Sequence, residues 1–123
     1  MAETTLYDAH GSAVAYITND LTIYLWSGEP VAYLEEIKGD GYNIHGFNGR
    51  HLGWFAQGVL RDHQGDAVGG ARAAIGSVKF QPFKSFKRFK PFKAFKESAP
   101  FRPFFTAGRS PMSCEEFLLR GAR

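Results

Sequence analysis

Residues 6–17 read Leu-Tyr-Asp-Ala-His-Gly-Ser-Ala-Val-Ala-Tyr-Ile, and residues 23–34 read Ile-Tyr-Leu-Trp-Ser-Gly-Glu-Pro-Val-Ala-Tyr-Leu. The two stretches align on Gly11 and Gly28 without a gap, and weaker copies follow around Gly49 and Gly65. Five residues before each glycine stand Leu6, Ile23, Ile44 and Leu60, and three after it stand Val14, Val31, Leu52 and Val68. Four after it come only small residues: Ala15, Ala32, Gly53 and Gly69. Such a unit is one supersecondary element that cannot bury its apolar surface alone, so the copies must pack on one another.

The glycines follow His10, Ser27, Asn48 and Gln64, and Asn48-Gly49 is a two-residue hairpin signal because a type I′ turn needs positive φ at both centres. Strand parity then puts Leu6, Ala15 and Ile17 on one face and Tyr7, Val14 and Tyr16 on the other. In the second copy Ile23, Ala32 and Leu34 oppose Tyr24, Trp26, Val31 and Tyr33. Both faces are apolar. The small aliphatic face is expected to close around a shared axis, while the aromatic face needs a second layer. This predicts an all-β domain over residues 1–78, four hairpins about a pseudo-four-fold axis. Gly69 and Gly70 make the last strand bent or short.

From Phe80 the chain runs in three columns. Phenylalanine fills the first at Phe80, Phe83, Phe86, Phe89, Phe92, Phe95, Phe101 and Phe104, interrupted by Ser98. The second carries Lys84, Lys87, Lys90, Lys93, Lys96 and Arg102, and the third is mostly small, proline or polar. A helix would spiral the phenylalanines and a strand would alternate them, whereas a polyproline II-like chain with three residues per turn keeps each column on one side. Residues 79–109 are therefore expected to form an extended tail packed on the four-hairpin domain as one structural unit. Its phenylalanines should cover the aromatic face and its lysines should point to water. A straight rod from Phe80 to Phe104 would span on the order of 75 Å, so the tail must wrap around the petals or reach a neighbour. Residues 110–123 predict one short helix, with Ser113 and Glu116 at capping-box spacing and Gly121 as terminator.

The Leu-Tyr-Asp-x-x-Gly-x-x-Val-Ala-Tyr-Ile pattern of residues 6–17, its copy at 23–34 and the Lys/Pro-punctuated period-three tail resemble the four-fold beta flower domain of bacterial proteins. The resemblance spans roughly residues 5–105. It implies four β-hairpin petals around a pseudo-four-fold axis and implies no activity.

Charge is separated along the chain: residues 1–78 hold four Lys/Arg and nine Asp/Glu, while residues 79–123 hold eleven and three. The halves, at −5 and +8, should attract one another within or between chains. Cys114, the single cysteine, excludes an intramolecular disulfide framework and a cysteine-cluster zinc site, and points to a reducing cytoplasm. No stretch approaches the ~18–20 apolar residues of a membrane span, and residues 1–5 lack the pattern of a secretion signal.

No catalytic motif stands out, and no cofactor or metal is implied. His10, His45, His51 and His63 lack zinc-motif spacing, and parity sends His45 and His51 to opposite faces. Tyr7, Tyr24, His45 and Arg61, each four before its glycine, are candidates to converge on a polar patch that binds a small anion or ligand. Asp8 and Asp62 suit turn hydrogen bonds, and Cys114 lacks an assured histidine partner. The leading expectation is a non-enzymatic structural or protein-interaction module that pairs with itself through its tail or C-terminal helix. The alternative is nucleic-acid or anionic-membrane binding, with the Lys84 to Arg102 column on phosphates and the aromatic rings stacking or entering lipid.

Overall fold

A computed structural model describes residues 3–122. Eight strands follow in order: β1 (Thr4–Tyr7), β2 (Ala13–Ile17), β3 (Thr22–Leu25), β4 (Pro30–Glu36), β5 (Tyr42–Gly46), β6 (His51–Ala56), β7 (Val59–Arg61) and β8 (Ala67–Gly70). Each pairs antiparallel with the next, and β8 returns to β1 through Tyr7 and Gly70 to close a barrel. Closure leaves no open sheet edge, which resolves the marginal stability of an isolated hairpin. Two helices complete the described elements: α1 (Arg72–Ile75), a single turn after β8, and α2 (Cys114–Leu119).

The repeat is the hairpin, as the sequence predicts, but its tip differs from a two-residue type I′ turn. In the first copy Asp8 N–H donates to Ser12 O and Gly11 N–H to Asp8 O, so the loop holds three residues and only its glycine has positive φ. The other three tips show the same pair of bonds. That is the three-residue loop closed by a glycine bulge. Asp8 and Asp62 serve the turns as expected: Asp8 accepts from His10 and Ser12 N–H at 2.9 Å, and Asp62 from Gln64 and Asp66 N–H at 3.0 Å. A two-residue loop does occur between repeats, at Gln57-Gly58, where both φ angles are positive.

A second bulge follows in every copy. Leu6 pairs with Ala15, yet Tyr7 pairs with Ala13, and the same skip recurs after Ile23, Ile44 and Leu60. The skipped residues are Val14, Val31, Leu52 and Val68. Strand parity put Val14 and Val31 on the aromatic face; the bulge instead turns Val31, Leu52 and Val68 into the core, with Val14 packed against it. The residue before each is moved outward to stand beside Tyr7, Tyr24, His45 or Arg61.

Leu6, Ile23, Ile44 and Leu60 fill the barrel interior, each with no solvent exposure. The small positions beside them make room for α2. A Cβ on Gly69 would stand 3.0 Å from Cys114 Sγ, and one on Gly53 would meet Phe117 at 3.1 Å and Arg61 O at 1.9 Å. Cys114, Phe117 and Leu118 are buried in the same core. An eight-stranded barrel needs side chains to fill its centre, and here part of the filling arrives from the far end of the chain. Ser113 caps α2 by accepting from Glu116 N–H at 3.1 Å. Asn48 N–H binds Gly121 O at 3.0 Å just past the helix end, tying α2 to the third hairpin tip.

Candidate functional site

The tail passes over the four tips with a nine-residue step. Backbone N–H groups of Lys79, Arg88, Glu97 and Thr106 donate to the carbonyls of Gly11, Gly28, Gly49 and Gly65 at 2.8–3.1 Å. Ser85 and Ala94 donate to Trp26 and Phe47. All six donors lie in the third column. Pro82, Pro91, Pro100 and Pro103 occupy the remaining third-column places, where no donor is used; the first three recur every nine residues, and Pro103 stands one such step after Ala94, where the fourth tip receives no second bond. Close approach also requires the tip glycines: a Cβ on Gly28 would stand 2.0 Å from Phe86 O, and the other three would meet Ser77, Phe95 and Phe104 carbonyls at 2.3–2.5 Å.

With the third column turned inward, the second lies along the barrel wall. Gln81 donates to the Tyr7 hydroxyl. Lys84 stands 4.2 Å above the Tyr16 ring and donates to Glu3, Lys87 shares Glu3 at 2.8 Å, and Lys90 donates to Asp20 at 2.7 Å. Lys93 lies 4.2 Å over Tyr33, Lys96 pairs with Glu35, and Arg102 with Asp40 at 2.8 Å. The ammonium groups hold the carboxyls of Glu3, Asp20 and Glu35 below their ordinary range, chiefly by hydrogen bonding. The opposition of charge between the chain halves is thus spent within the chain. Phe105, also second-column, packs on Trp54 and lies under the Arg61 and Arg102 guanidinium groups at 5.0 and 4.3 Å.

The first column faces outward. Phe80, Phe83, Phe86, Phe89, Phe92, Phe95, Phe101 and Phe104 are 96–103 % exposed, so no described residue covers them. This reverses the expectation that phenylalanines cover the aromatic wall and lysines meet water. The lysine stems and ammonium groups cover that wall, by cation–π contact and ion pairing, because the third-column hydrogen bonds fix the tail's rotation.

Tyr7, Tyr24, His45 and Arg61 lie around the outside of the wall, each beneath a different stretch of tail, and do not converge. Tyr7 meets Gln81, while Tyr24 stacks on Tyr16 beside Lys87. Nε2 of His45 donates to Glu97 O at 3.0 Å, and Arg61 donates to Gly65 O and Thr106 O. Arg61 also lines a cavity of about 210 Å³ with Thr106 and Arg109.

The bulge brings His45 and His51 to one face with ring centroids 5.1 Å apart, where parity had separated them. His63 Nε2 lies 3.0 Å from His51 Nδ1, and His51 Nε2 lies 2.9 Å from Asn43 Oδ1. That network assigns His63 as donor to a neutral His51, which in turn donates to Asn43. Burial, with His45 and His63 nearby, lowers the His51 pKa to about 4. Glu97 completes the cluster by accepting from His51 N–H at 2.7 Å. Among the described residues no group of three or more His, Cys, Asp or Glu is placed to hold a metal ion. Cys114 is buried against Gly69, and burial pushes its thiol up to about 12, far from a nucleophile's range. No described helix is long and apolar enough to cross a membrane.

No curated protein and no solved structure matches the chain. The family described as 4-fold beta flower protein matches residues 4–118, from the first strand through the tail into α2. With four hairpin petals closed into one barrel and a tail tied to each tip, the chain belongs to the 4-fold beta flower family.

Proposed function

We propose that this protein is a non-enzymatic interaction module, a small barrel that winds its own tail around itself to present a comb of phenylalanines to an apolar partner. The observation that carries this reading is the rotation of the tail. Eight rings are fully exposed while the basic column beside them is engaged with the wall. Burying a phenylalanine is worth about 1.5–3 kcal/mol, so a tail that served only as a cover would turn the other way. Exposed apolar surface of this extent, eight rings along one segment, supports a role as an interaction site.

Changing Phe86, Phe89 and Phe92 together to Ser tests it. The expected result is unfolding free energy within about 0.5 kcal/mol per substitution of the parent, as for surface positions, with clearly weaker retention on a phenyl column. Loss of several kcal/mol in urea would show that the rings are buried in solution and would defeat the proposal.

A further inference from the structure

Independently of the phenylalanine comb, we infer that the fourth petal carries a binding site for a small aliphatic carboxylate. The repeat shows where the site comes from. Five residues after the tip glycine the first three copies place Tyr16, Tyr33 and Trp54, all buried on the wall, and the fourth places Gly70. No ring fills the wall there. α1 leans into the space instead, with Ala74 Cβ 3.4 Å from where a Cβ on Gly70 would stand. A methyl group replaces much less volume than a phenol or an indole, and a cavity of about 210 Å³ remains between β7, β8, α1 and the end of the tail. At ~30 Å³ per water, that is room for about seven waters, the size of a short-chain acid.

The lining is of two kinds. Val59, Val68, Ala74 and Ile75 make it apolar, while Arg61 and Arg109 bring two guanidinium groups. Among the described residues no carboxylate lines it, and neither arginine joins an ion pair. Arg61 holds the tail with Nη1 alone, through Gly65 O and Thr106 O, and Phe105 covers a face of its guanidinium. His45, its equivalent in the third petal, ties the tail through one nitrogen to Glu97 O, so the strap needs no more than that. What remains of Arg61 is a spare fork: Nε is buried without an acceptor, and Nη2 bonds to no described residue. That edge of a guanidinium is the one that takes a carboxylate bidentately. Arg109 is set beside it by backbone bonds on either side, Ala67 N–H donating to Gly108 O at 3.0 Å and Ser110 N–H to Ala67 O at 2.8 Å. Two cations without counter-charge next to an apolar lining suit an anion with a short hydrocarbon chain. The carboxylate meets the Arg61 fork and Arg109, and the chain lies against Val59, Val68 and Ile75. Phosphate would leave the apolar part empty, and an alcohol would leave the cations unpaired.

Titration of the full chain with butyrate, followed by NMR, tests the inference. Saturable shifts in the millimolar range are expected at the methyl groups of Val59, Val68 and Ile75 and at the Arg61 Nε–H. Butan-1-ol and inorganic phosphate should each bind there about tenfold more weakly or not at all. The Arg109 side chain is exposed and makes no bond to a described residue, so Arg109→Gln should keep the urea midpoint of the parent while weakening butyrate about tenfold. Three results overturn the inference: no saturable shift at these groups, unchanged butyrate affinity in Arg109→Gln, or butan-1-ol or phosphate binding as tightly as butyrate.

Discussion

Replacing Gly28 by Ala probes the contact on which the whole arrangement rests. Gly28 has φ +91°, so any side chain there carries left-handed backbone strain of about 1–2 kcal/mol. Its Cβ would also stand 2.0 Å from Phe86 O, where backbone cannot yield without moving the tail. Lifting the strand by more than an ångström breaks the 2.9 Å bond from Arg88 N–H to Gly28 O, a further ~0.5–1.5 kcal/mol. Gly39 supplies the control, with φ +73° and no atom within 4 Å of its would-be Cβ. Gly28→Ala should therefore cost about 1.5–3.5 kcal/mol and Gly39→Ala about 1–2. Urea unfolding followed by far-ultraviolet circular dichroism reads the difference as a midpoint shift on the order of 1 M. Trp26, whose indole donates to Pro82 O at 3.0 Å, should report tail release by a red-shifted emission in Gly28→Ala alone. Equal losses for the two variants, within about 0.5 kcal/mol, would mean that the tail does not press on the Gly28 tip.

Phe104 and Phe105 are adjacent yet belong to different columns, so Phe105→Ala should cost about 2–3 kcal/mol, somewhat below a full core truncation, while Phe104→Ala stays within about 0.5 kcal/mol. Similar unfolding midpoints for the two would contradict the column assignment. The thiol of Cys114 should be inert to a disulfide reagent in native buffer and react fully in denaturant; fast native labelling would mean that α2 is not seated in the barrel. Because the folded-state pKa of His51 falls from 6.5 to about 4, the unfolded chain binds the extra proton between those values. Stability from this group is thus complete above 6.5 and declines as pH drops toward 4, and His51→Phe should flatten that decline in a urea series across pH; an unaltered slope would rule His51 out as its source.

The barrel was legible because its repeat imposes one register four times. Leu6 opposite Ala15, and its three counterparts, follow from parity and from the need for small residues on the inner face. The bulge after each of those pairs was not legible. A single skipped residue leaves no mark in composition, and it moved Val31, Leu52 and Val68 inward and His51 outward beside His45. The tail's three columns were readable from their period, but the period does not say which column faces the barrel. Burial of apolar surface pointed to the phenylalanines, and the hydrogen bonds of the tip glycine carbonyls decided otherwise. One signal was present: Pro82, Pro91 and Pro100 recur every nine residues in the third column, and their spacing matches one step per petal. Phe105, the one aromatic of the second column, lies beside Phe104 and is distinguished from it by column alone. Tyr7, Tyr24, His45 and Arg61 are equivalent by symmetry, which spreads them around a ring instead of gathering them.

Amide hydrogen exchange of the tail, resolved residue by residue by NMR, reads which column is tied to the petals. Slow exchange is expected at Lys79, Ser85, Arg88, Ala94, Glu97 and Thr106, whose N–H groups are donated to the petals, and fast exchange at first-column residues such as Phe83, Phe86 and Phe92. Uniformly fast exchange from residue 79 to 106, or protection that follows the phenylalanines, would contradict attachment through the third column.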